Sequence, residues 1–355
     1  MTMDRLRSIS PTTLNQLIAC PAKVYLDSSS VRPRTSSPNR AALLGTVVHR
    51  TLELLVTGGQ LFEDELSETV DRSWATALRE AGLEDERKAA RLPGYFLKKA
   101  RVLNAAKRLV VLLAGVAELS TEIGLESPDR IVRGRVDLAA ALPDGLTIVD
   151  YKSGIQRDRS DGTALMDEYA TQLRIYCWLW AASRGPDWPT HAYLLPLDGP
   201  PIEVDVRRGL CEQTVEEALR TLGRFNDSLP ESLPPTPSPS ACRFCRHLLE
   251  CSSLASEASQ AWSDRLLLVI AEVVSAEASQ GGGYSLLLRL QGGSVEGASA
   301  SLVRVNPSQH PAVLSAVAGS RLAATGLYRV DGENAYCLRD NSILVVEAMG
   351  AGGVV

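Results

Sequence analysis

The chain has 355 residues, of which 45% are hydrophobic and 22% charged, a composition typical of a globular protein with enough residues for two hydrophobic cores. No secretory signal peptide opens the sequence and no apolar run is long enough to span a membrane, so we expect a protein of the reducing cytoplasm with no membrane partner. The formal net charge of −5 excludes a uniformly basic surface, so any binding to nucleic acid would depend on local basic clusters.

The first predicted elements are helices. The pattern Ser10-Pro11-Thr12 is typical of a helix start, with a capping hydroxyl and a proline in the first turn. Apolar residues recur at helical spacing from Leu43 to Glu53, a segment that carries His49, one of four histidines in the chain. A longer helical stretch is predicted from Gln60 to Val116, with a break near Pro93. On a mainly apolar helix, His49 is either a buried histidine with a hydrogen-bond partner or a functional residue.

Two strands follow and form a predicted hairpin. Residues Ile131 to Ala140 alternate in the manner of a half-buried strand, and Leu146 to Val149 are typical of a more buried one. Asp137 lies in the first strand, while Asp150 and Lys152 lie at the end of the second. Because they are two residues apart, Asp150 and Lys152 project from the same face of an extended strand. Two carboxylates and an ammonium at one point can hold a divalent cation and a water beside a phosphodiester. Taken alone, these residues also fit a solvated strand end with a weak surface ion pair.

The next predicted element is a helix that includes Tyr169 to Leu179. Within it, Gln172 and Tyr176 are four residues apart and therefore share a helix face. Taken alone, the pair fits an ordinary contact on a helix surface.

Four of the seven cysteines form a pattern. The triplet Cys242-x2-Cys245-x5-Cys251 has one distant partner, Cys20, and this spacing is unlike two paired zinc knuckles. Four thiolates suit either zinc or an iron-sulfur cluster, so ligand chemistry alone leaves the metal open. The three remaining cysteines lie outside the pattern and are predicted to be small buried hydrophobic residues: Cys177, Cys211 and Cys337.

The last third of the sequence has a different pattern, which predicts short strands separated by Gly-rich or Asp-Gly turns. The predicted strands are 266–275, 284–291, 300–305, 320–330, 335–338 and 343–346, with a short helical stretch over 312–318. Three strands, a helix and further strands resemble an OB-fold barrel, which commonly binds single-stranded nucleic acid. Between residues 264 and 347 there are six arginines, eight acids and no lysine, so a protein-docking barrel fits the sequence nearly as well as a DNA-binding one.

In this order, the motifs around His49, Asp137, Asp150-Tyr151-Lys152, Gln172 and the four cysteines resemble the PD-(D/E)XK nuclease superfamily. The resemblance covers about residues 8 to 255 and is to the RecB-like branch with an iron-sulfur cluster, which includes AddB nuclease domains and CRISPR-associated spacer-acquisition nucleases. It implies an α/β (α+β) restriction-endonuclease-like core over residues 1–260, with a helical insertion at about 60–116. An OB-like all-β barrel over residues 261–355 would follow.

The resemblance also implies residue roles. The metal ligands would be His49, Asp137, Asp150 and the main-chain carbonyl of Tyr151, and they would bind Mg²⁺ or Mn²⁺ because oxygen ligands dominate. Asp137, Asp150 and Lys152 would form the catalytic set, with Lys152 acting on the attacking water and the phosphate.

Other residues would support this centre. Gln172 and Tyr176 would buttress the site and touch the nucleic-acid backbone. Glu122 matches an acid near the start of the core sheet whose role stays open. The thiolates of Cys20, Cys242, Cys245 and Cys251 would hold a [4Fe-4S] cluster.

The function implied is metal-dependent hydrolysis of DNA, as an exonuclease on single strands or DNA ends, in repair, recombination or anti-phage defence. Basic residues beside the first strand of the hairpin, Arg130, Arg133 and Arg135, could contact the substrate locally. A helicase or another recombination or defence protein would be the partner. The alternative is a non-catalytic DNA-end-binding or scaffold subunit, which would show a broken metal-ligand set; here His49, Asp137, Asp150 and Lys152 are all present.

Overall fold

The computed structural model describes residues 5–29, 40–58, 65–90, 92, 94–154, 162–185, 187–228, 233–330, 334–339 and 342–347. The chain divides into two compact units. The first unit comprises Arg5–Asn15 and Arg40–Asp227, and the second comprises Met1–Asp4, Gln16–Asn39 and Ser228–Val355. The domain boundary predicted between residues 260 and 261 stays a prediction. Among the described residues, no helix combines the length and the apolar character that crossing a membrane requires.

Helices precede the sheet of the first unit. The chain begins with α1 (Pro11–Ala19) and α2 (Pro21–Ser29), followed by α3 (Arg40–Thr57), α4 (Leu66–Glu80), α5 (Glu86–Ala89) and α6 (Tyr95–Leu112). The predicted helix start is confirmed, because the Ser10 hydroxyl accepts a hydrogen bond from the Thr13 amide at 3.2 Å. Helices α4 to α6 occupy much of the stretch predicted to be helical. The predicted break at Pro93 lies outside the described residues, and α6 begins directly after Gly94.

A five-stranded sheet forms the centre of the first unit. Its strands are β1 (Glu118–Glu126), β2 (Arg133–Leu142), β3 (Gly145–Lys152), β4 (His191–Pro196) and β5 (Ile202–Glu203), in that spatial order. The predicted hairpin is confirmed, since β2 and β3 are antiparallel and join through a tight turn between Leu142 and Gly145. The pairing of β3 with β4 is parallel, and the crossover between them contains α7 (Gly162–Arg184). The last helix of the unit is α8 (Arg208–Asp227).

The two faces of this sheet have different neighbours. Leu138, Ala140, Val149 and Tyr151 are buried in one cluster with apolar residues of α3, α4 and α6. Helix α7 contacts the sheet through β1, β2, β3 and β4. Because side chains alternate along a strand, Asp150 and Lys152 project to the face opposite Tyr151. The alternation of β3 therefore sends its two charged side chains away from the α3–α6 core.

The second unit contains a seven-stranded sheet. Its strands are β6 (Leu268–Ala278), β7 (Tyr284–Gly293), β8 (Ser299–Val305), β9 (Arg321–Thr325), β10 (Leu327–Val330), β11 (Ala335–Leu338) and β12 (Leu344–Glu347). Their spatial order is β10-β11-β8-β7-β6-β9-β12. Neighbours are antiparallel except β8 and β11, which are parallel. The helical stretch predicted over 312–318 is a short 3-10 helix, Pro311–Ser315.

One predicted strand, Ser320 to Val330, is corrected by the structure to two strands. Gly326 separates β9 from β10 and has a φ of +70°, a conformation in which a side chain would be strained. A Cβ atom there would also lie 2.9 Å from the Ser342 hydroxyl. Because β9 pairs with β6 and β10 pairs with β11, this bend joins the strands β6, β7, β8, β11 and β10/β9 into a closed ring.

The four patterned cysteines all lie in the second unit. Cys20 lies between α1 and α2, and Cys242 ends α9 (Pro239–Cys242), which is followed by α10 (Leu254–Glu257). Cys242, Cys245 and Cys251 pack in one apolar cluster with residues of β6 and β9. The predicted burial of the other three cysteines, Cys177, Cys211 and Cys337, is confirmed.

Candidate active site

The three acids of the site lie next to one another across β1, β2 and β3. In the β1–β2 ladder, Thr121 pairs with Leu138 and Ile123 pairs with Val136, so Glu122 lies opposite Asp137. The β2–β3 ladder ends at the pair Leu138–Val149, so Asp137 and Asp150 are the next residues on either side. Beyond that point the amide of Tyr151 donates a hydrogen bond of 2.6 Å to Asp137 Oδ2. The sheet therefore brings carboxylates from three strands to the point where the β2–β3 pairing stops.

His49 completes a group that could hold a metal ion. One ligand atom each from His49, Glu122 and Asp137 lie within 4.8 Å of one another, and no other such group occurs in the part of the chain that the structure describes. We call these residues the candidate metal triad. His49 Nδ1 is 3.4 Å from Asp137 Oδ2, and the imidazole ring packs edge-on against the buried ring of Tyr151 with centroids 5.8 Å apart. One imidazole nitrogen and two carboxylates are suitable donors for a divalent cation.

The electrostatics of the triad favour a cation. Burial raises the pKa of Glu122, and the nearby Asp137 carboxylate raises it further. Burial alone would lower the pKa of His49, but the hydrogen bond and charge of Asp137 outweigh burial and raise it. The Asp137 carboxylate contributes to both shifts, so negative charge is concentrated at this point. A bound divalent cation would compensate that charge, so the donor set fits the metal chemistry that the sequence predicts.

Asp150 and Lys152 lie in a second, adjoining network with α7. The Lys152 ammonium contacts the Asp150 carboxylate and donates a hydrogen bond of 2.7 Å to Gln172 Oε1. Gln172 Nε2 donates to Asp150 Oδ1 at 2.9 Å and to the Tyr176 hydroxyl at 2.8 Å. Lys152 Nζ also lies 4.6 Å from the ring centroid of Tyr169, a cation–π contact. Gln172 thus holds both charged groups, with Tyr176 beside them.

Asp150 is a buried carboxylate at 2% exposure. Burial raises its pKa to about 6, and Lys152 moderates the rise. Its Oδ2 atom is paired with the Lys152 ammonium. A buried carboxylate is costly to ionise in a metal-free fold and is a natural ligand for a cation.

The structure thus brings the predicted residues of the active site together in two adjoining groups. His49 and Asp137 lie together, as do Asp150, Lys152, Gln172 and Tyr176. Glu122, whose role the sequence leaves open, joins His49 and Asp137. The carboxylate of Asp150 does not belong to that group of closest ligand atoms.

Gly134 is a site residue that the sequence analysis missed. A Cβ atom at this position would lie 2.7 Å from Cε1 of the Tyr176 ring and 3.2 Å from Leu179. Only glycine therefore lets α7 approach β2 closely enough to place Tyr176 and Gln172 over the acids. A glycine inside an alternating strand pattern is the available signal, because it often marks close approach of another element.

Three of the patterned cysteines, Cys242, Cys245 and Cys251, lie in one apolar cluster. Burial raises the pKa values of the Cys242 and Cys245 thiols to about 11, and an ionised Cys20 would raise both further. The amide of His247 donates to Cys245 Sγ at 3.4 Å.

Comparison with known proteins identifies the family. The profile of the PD-(D/E)XK nuclease superfamily matches residues 8–252 of this chain. The chain belongs to the PD-(D/E)XK nuclease superfamily. Nucleases of this superfamily use divalent metals, and the candidate metal triad lies within the matched residues. Membership implies a nuclease hydrolase with DNA as its substrate.

Solved structures give weaker likenesses. One is the crystal structure of SSO0001, with 15% identity, a TM-score of 0.24, and coverage of 70% of this PD-(D/E)XK chain and 98% of that chain. Another is protein VC1899 from Vibrio cholerae, with 14% identity, a TM-score of 0.19, and coverage of 64% and 57%. At these TM-scores neither likeness bears on the fold. No curated protein matches the chain.

Proposed function

We propose that this PD-(D/E)XK protein is a Mg²⁺- or Mn²⁺-dependent deoxyribonuclease, acting as an exonuclease on single-stranded DNA or DNA ends. The observation that carries the proposal is the candidate metal triad next to the Lys152 ammonium. Oxygen donors predominate in this set and favour hard divalent cations. Repair, recombination or anti-phage defence in the cytoplasm, with a helicase or another such protein as partner, is the predicted setting.

Each residue has a proposed task. His49, Glu122 and Asp137 would hold the cation, together with Asp150 and the main-chain carbonyl of Tyr151. A bound cation of this kind makes a water more acidic and stabilises the charge that develops on the phosphate. Lys152 would orient the attacking water with its ammonium group.

The support residues act through Lys152. Gln172 accepts a hydrogen bond from Lys152 and donates one to Asp150, so it restricts both side chains to one geometry. Tyr176 accepts from Gln172 and stands at the close approach of α7 to Gly134. These contacts support positioning, which is a major part of catalysis for a hydrolase of this class.

A cleavage assay tests the proposal. Purified protein is incubated with single-stranded and duplex DNA, each with free or blocked ends, in Mg²⁺, Mn²⁺ or EDTA. We expect cleavage in both metals, none in EDTA, and loss of cleavage when the ends are blocked. Cleavage of blocked circles would replace the exonuclease assignment by an endonuclease one. DNA binding without cleavage in either metal would favour the non-catalytic end-binding or scaffold subunit.

We further propose that Cys20, Cys242, Cys245 and Cys251 hold a [4Fe-4S] cluster, as in the RecB-like branch. The sequence spacing supports the proposal, because the Cys242-x2-Cys245-x5-Cys251 triplet with the distant Cys20 is unlike two paired zinc knuckles. Absorbance in the visible range after anaerobic purification, together with iron and zinc analysis, decides between the cluster and zinc. A colourless protein with one zinc per chain would contradict the cluster.

The closed ring of the second unit supports an OB-type barrel. We propose an OB-type barrel because the unit has a meander of three strands, a parallel pairing of the third with the fifth, and a bent fourth strand that pairs with the first. The barrel would bind either single-stranded DNA or a protein partner. Filter binding of a labelled oligonucleotide to variants of the exposed Tyr328 distinguishes these ligands. If the barrel binds DNA, the variants should bind the oligonucleotide more weakly than the parent protein does; if it binds a protein, their affinity for the oligonucleotide should be unchanged.

A further inference from the structure

Arg135 presents a cationic side chain at the edge of the candidate metal triad. It lies on β2 two residues before Asp137, and its side chain therefore projects from the same face of the strand. Its Nε atom is 2.5 Å from Oε2 of Glu122, a member of the triad. The Arg135 side chain is 67% exposed, whereas that of Glu122 is 21% exposed. One side of the guanidinium is thus paired while the remainder faces solvent.

Glu122 has two competing positive partners. One of its oxygens lies within 4.8 Å of ligand atoms of His49 and Asp137, where a cation would bind, and its carboxylate also pairs with Arg135. Its backbone has a φ of +51°, an unusual conformation for a residue with a side chain, and such strain is often retained at functional sites. A divalent cation at the triad would withdraw charge from the Glu122 carboxylate and repel the Arg135 guanidinium. Because a partly exposed ion pair contributes little to stability, its exchange costs little free energy.

We propose that Arg135 binds a phosphate of the DNA backbone beside the metal site. Until a divalent cation occupies the triad, the ion pair with Glu122 keeps the Arg135 guanidinium from binding the phosphate. The inference rests on the proposed nuclease function and adds that the metal binds before the DNA. Arginine suits this task because its planar fork can donate two parallel hydrogen bonds to a phosphate. DNA would then bind tightly only to protein already loaded with metal.

The test measures affinity rather than cleavage. A labelled single-stranded oligonucleotide is titrated with full-length protein in the Lys152→Ala background, which blocks hydrolysis, in EDTA and in Mg²⁺. We expect Arg135→Ala to weaken binding in Mg²⁺ by about tenfold, the value of one charge-assisted hydrogen-bonded contact, and to change binding in EDTA by less than about twofold. The slope of log affinity against log salt in Mg²⁺ should fall by about 0.7.

Variants of Glu122 test the restraint itself. Glu122→Gln should strengthen binding in EDTA, because it releases Arg135, and the double variant Glu122→Gln/Arg135→Ala should lose that gain. Glu126→Gln is the matched control for the loss of one acid. Glu126 is on the same strand and pairs with Arg130 at 3.7 Å, outside the triad. It should leave the affinity in EDTA within about twofold of the parent.

Two results would overturn the inference. One is an equal loss of affinity for Arg135→Ala in EDTA and Mg²⁺, or no loss in either. The other is an increase for Glu122→Gln that survives in the double variant, since that would reflect net charge alone. If the protein with Lys152 intact cleaves DNA and either result occurs, only the role of Arg135 fails. If it neither cleaves nor binds DNA, both the proposed function and this inference fail.

Discussion

At the scale of single residues, Asp150 shows a conflict between stability and function. Its carboxylate is buried, and although it contacts the Lys152 ammonium, burial raises its pKa to about 6. An aspartate in an unfolded chain has a pKa of about 3.9. The folded state therefore binds this proton more tightly than the unfolded state does, and ionisation of Asp150 opposes folding. The protein retains the group at a place where a cation would stabilise the ionised form.

Asp150→Asn should accordingly stabilise the metal-free protein at neutral pH while it abolishes cleavage. The sign follows from linkage: the destabilisation by Asp150 is fully present above the folded pKa of about 6 and vanishes below about pH 3.9. The melting temperature in EDTA should thus be higher for the variant at pH 8, with a difference that shrinks as the pH falls toward 4.

Asp144→Asn is the matched control for this comparison. Asp144 lies in the exposed turn of the same β2–β3 hairpin, and its side chain is 66% exposed. Its substitution should leave the melting temperature nearly unchanged across the same range. A lower melting temperature for Asp150→Asn than for the parent at pH 8 would show that the ionised carboxylate stabilises the metal-free fold.

At the scale of elements, the contact between α7 and β2 places the supporting residues. Gly134 lies under the Tyr176 ring, and a larger residue fits there only if the Tyr176 and Leu179 side chains shift. We predict that Gly134→Ala destabilises the protein by about 1–3 kcal/mol, the usual cost of overpacking, and lowers cleavage because Gln172 moves with Tyr176. Chemical denaturation and the cleavage assay measure the two effects.

Gly124→Ala is the control for a glycine on the same sheet. A Cβ atom at Gly124 would meet nothing within 4 Å, so the free energy of unfolding should change by no more than about 0.5 kcal/mol. Equal destabilisation by the two substitutions would mean that a general effect of replacing glycine in this sheet, rather than the Tyr176 contact, decides the result.

The elements also show which features of the fold and of the site local sequence patterns can predict. The β2–β3 hairpin, the shared face of Asp150 and Lys152, and the pairing of Gln172 with Tyr176 follow from local periodicity, and the structure confirms them. The position of Glu122 opposite Asp137 depends on the register between strands, which a single sequence does not encode locally. Its partnership with His49 further requires the packing of α3 against the sheet. The break at Gly326 was missed because the strand pattern continues on both sides of it.

At the scale of the whole molecule, the four patterned cysteines come from distant parts of the sequence. Cys20 lies more than 200 residues before Cys242, yet both belong to the second unit. Protein contacts support the same junction: Thr236 Oγ1 donates to the Ala19 carbonyl at 2.7 Å, and His247 Nε2 lies 3.1 Å from Asp27 Oδ1. A metal cluster that closes so long a loop would constrain the unfolded chain strongly.

Cys245→Ala should therefore remove visible absorbance and lower the melting temperature by about 5 °C or more, because a structural metal contributes directly to folding. Cys20→Ala should behave in the same way. Cys337→Ala is the control, since Cys337 is buried in the second unit outside the pattern and should leave the absorbance intact. Full colour and an unchanged melting temperature in Cys20→Ala and Cys245→Ala would contradict a structural cluster at these residues.

The proposed function requires that the first unit hydrolyses DNA at a metal held by the candidate metal triad. The most direct measurement is the initial rate of DNA cleavage in Mn²⁺ for the parent protein, Asp137→Asn and the control Asp144→Asn, side by side. Removal of one principal electrostatic group at an active site lowers the rate by about 10²–10³-fold or more. We predict a loss of at least that size for Asp137→Asn and an unchanged rate for Asp144→Asn. Cleavage by Asp137→Asn at the rate of the parent would place the active site elsewhere.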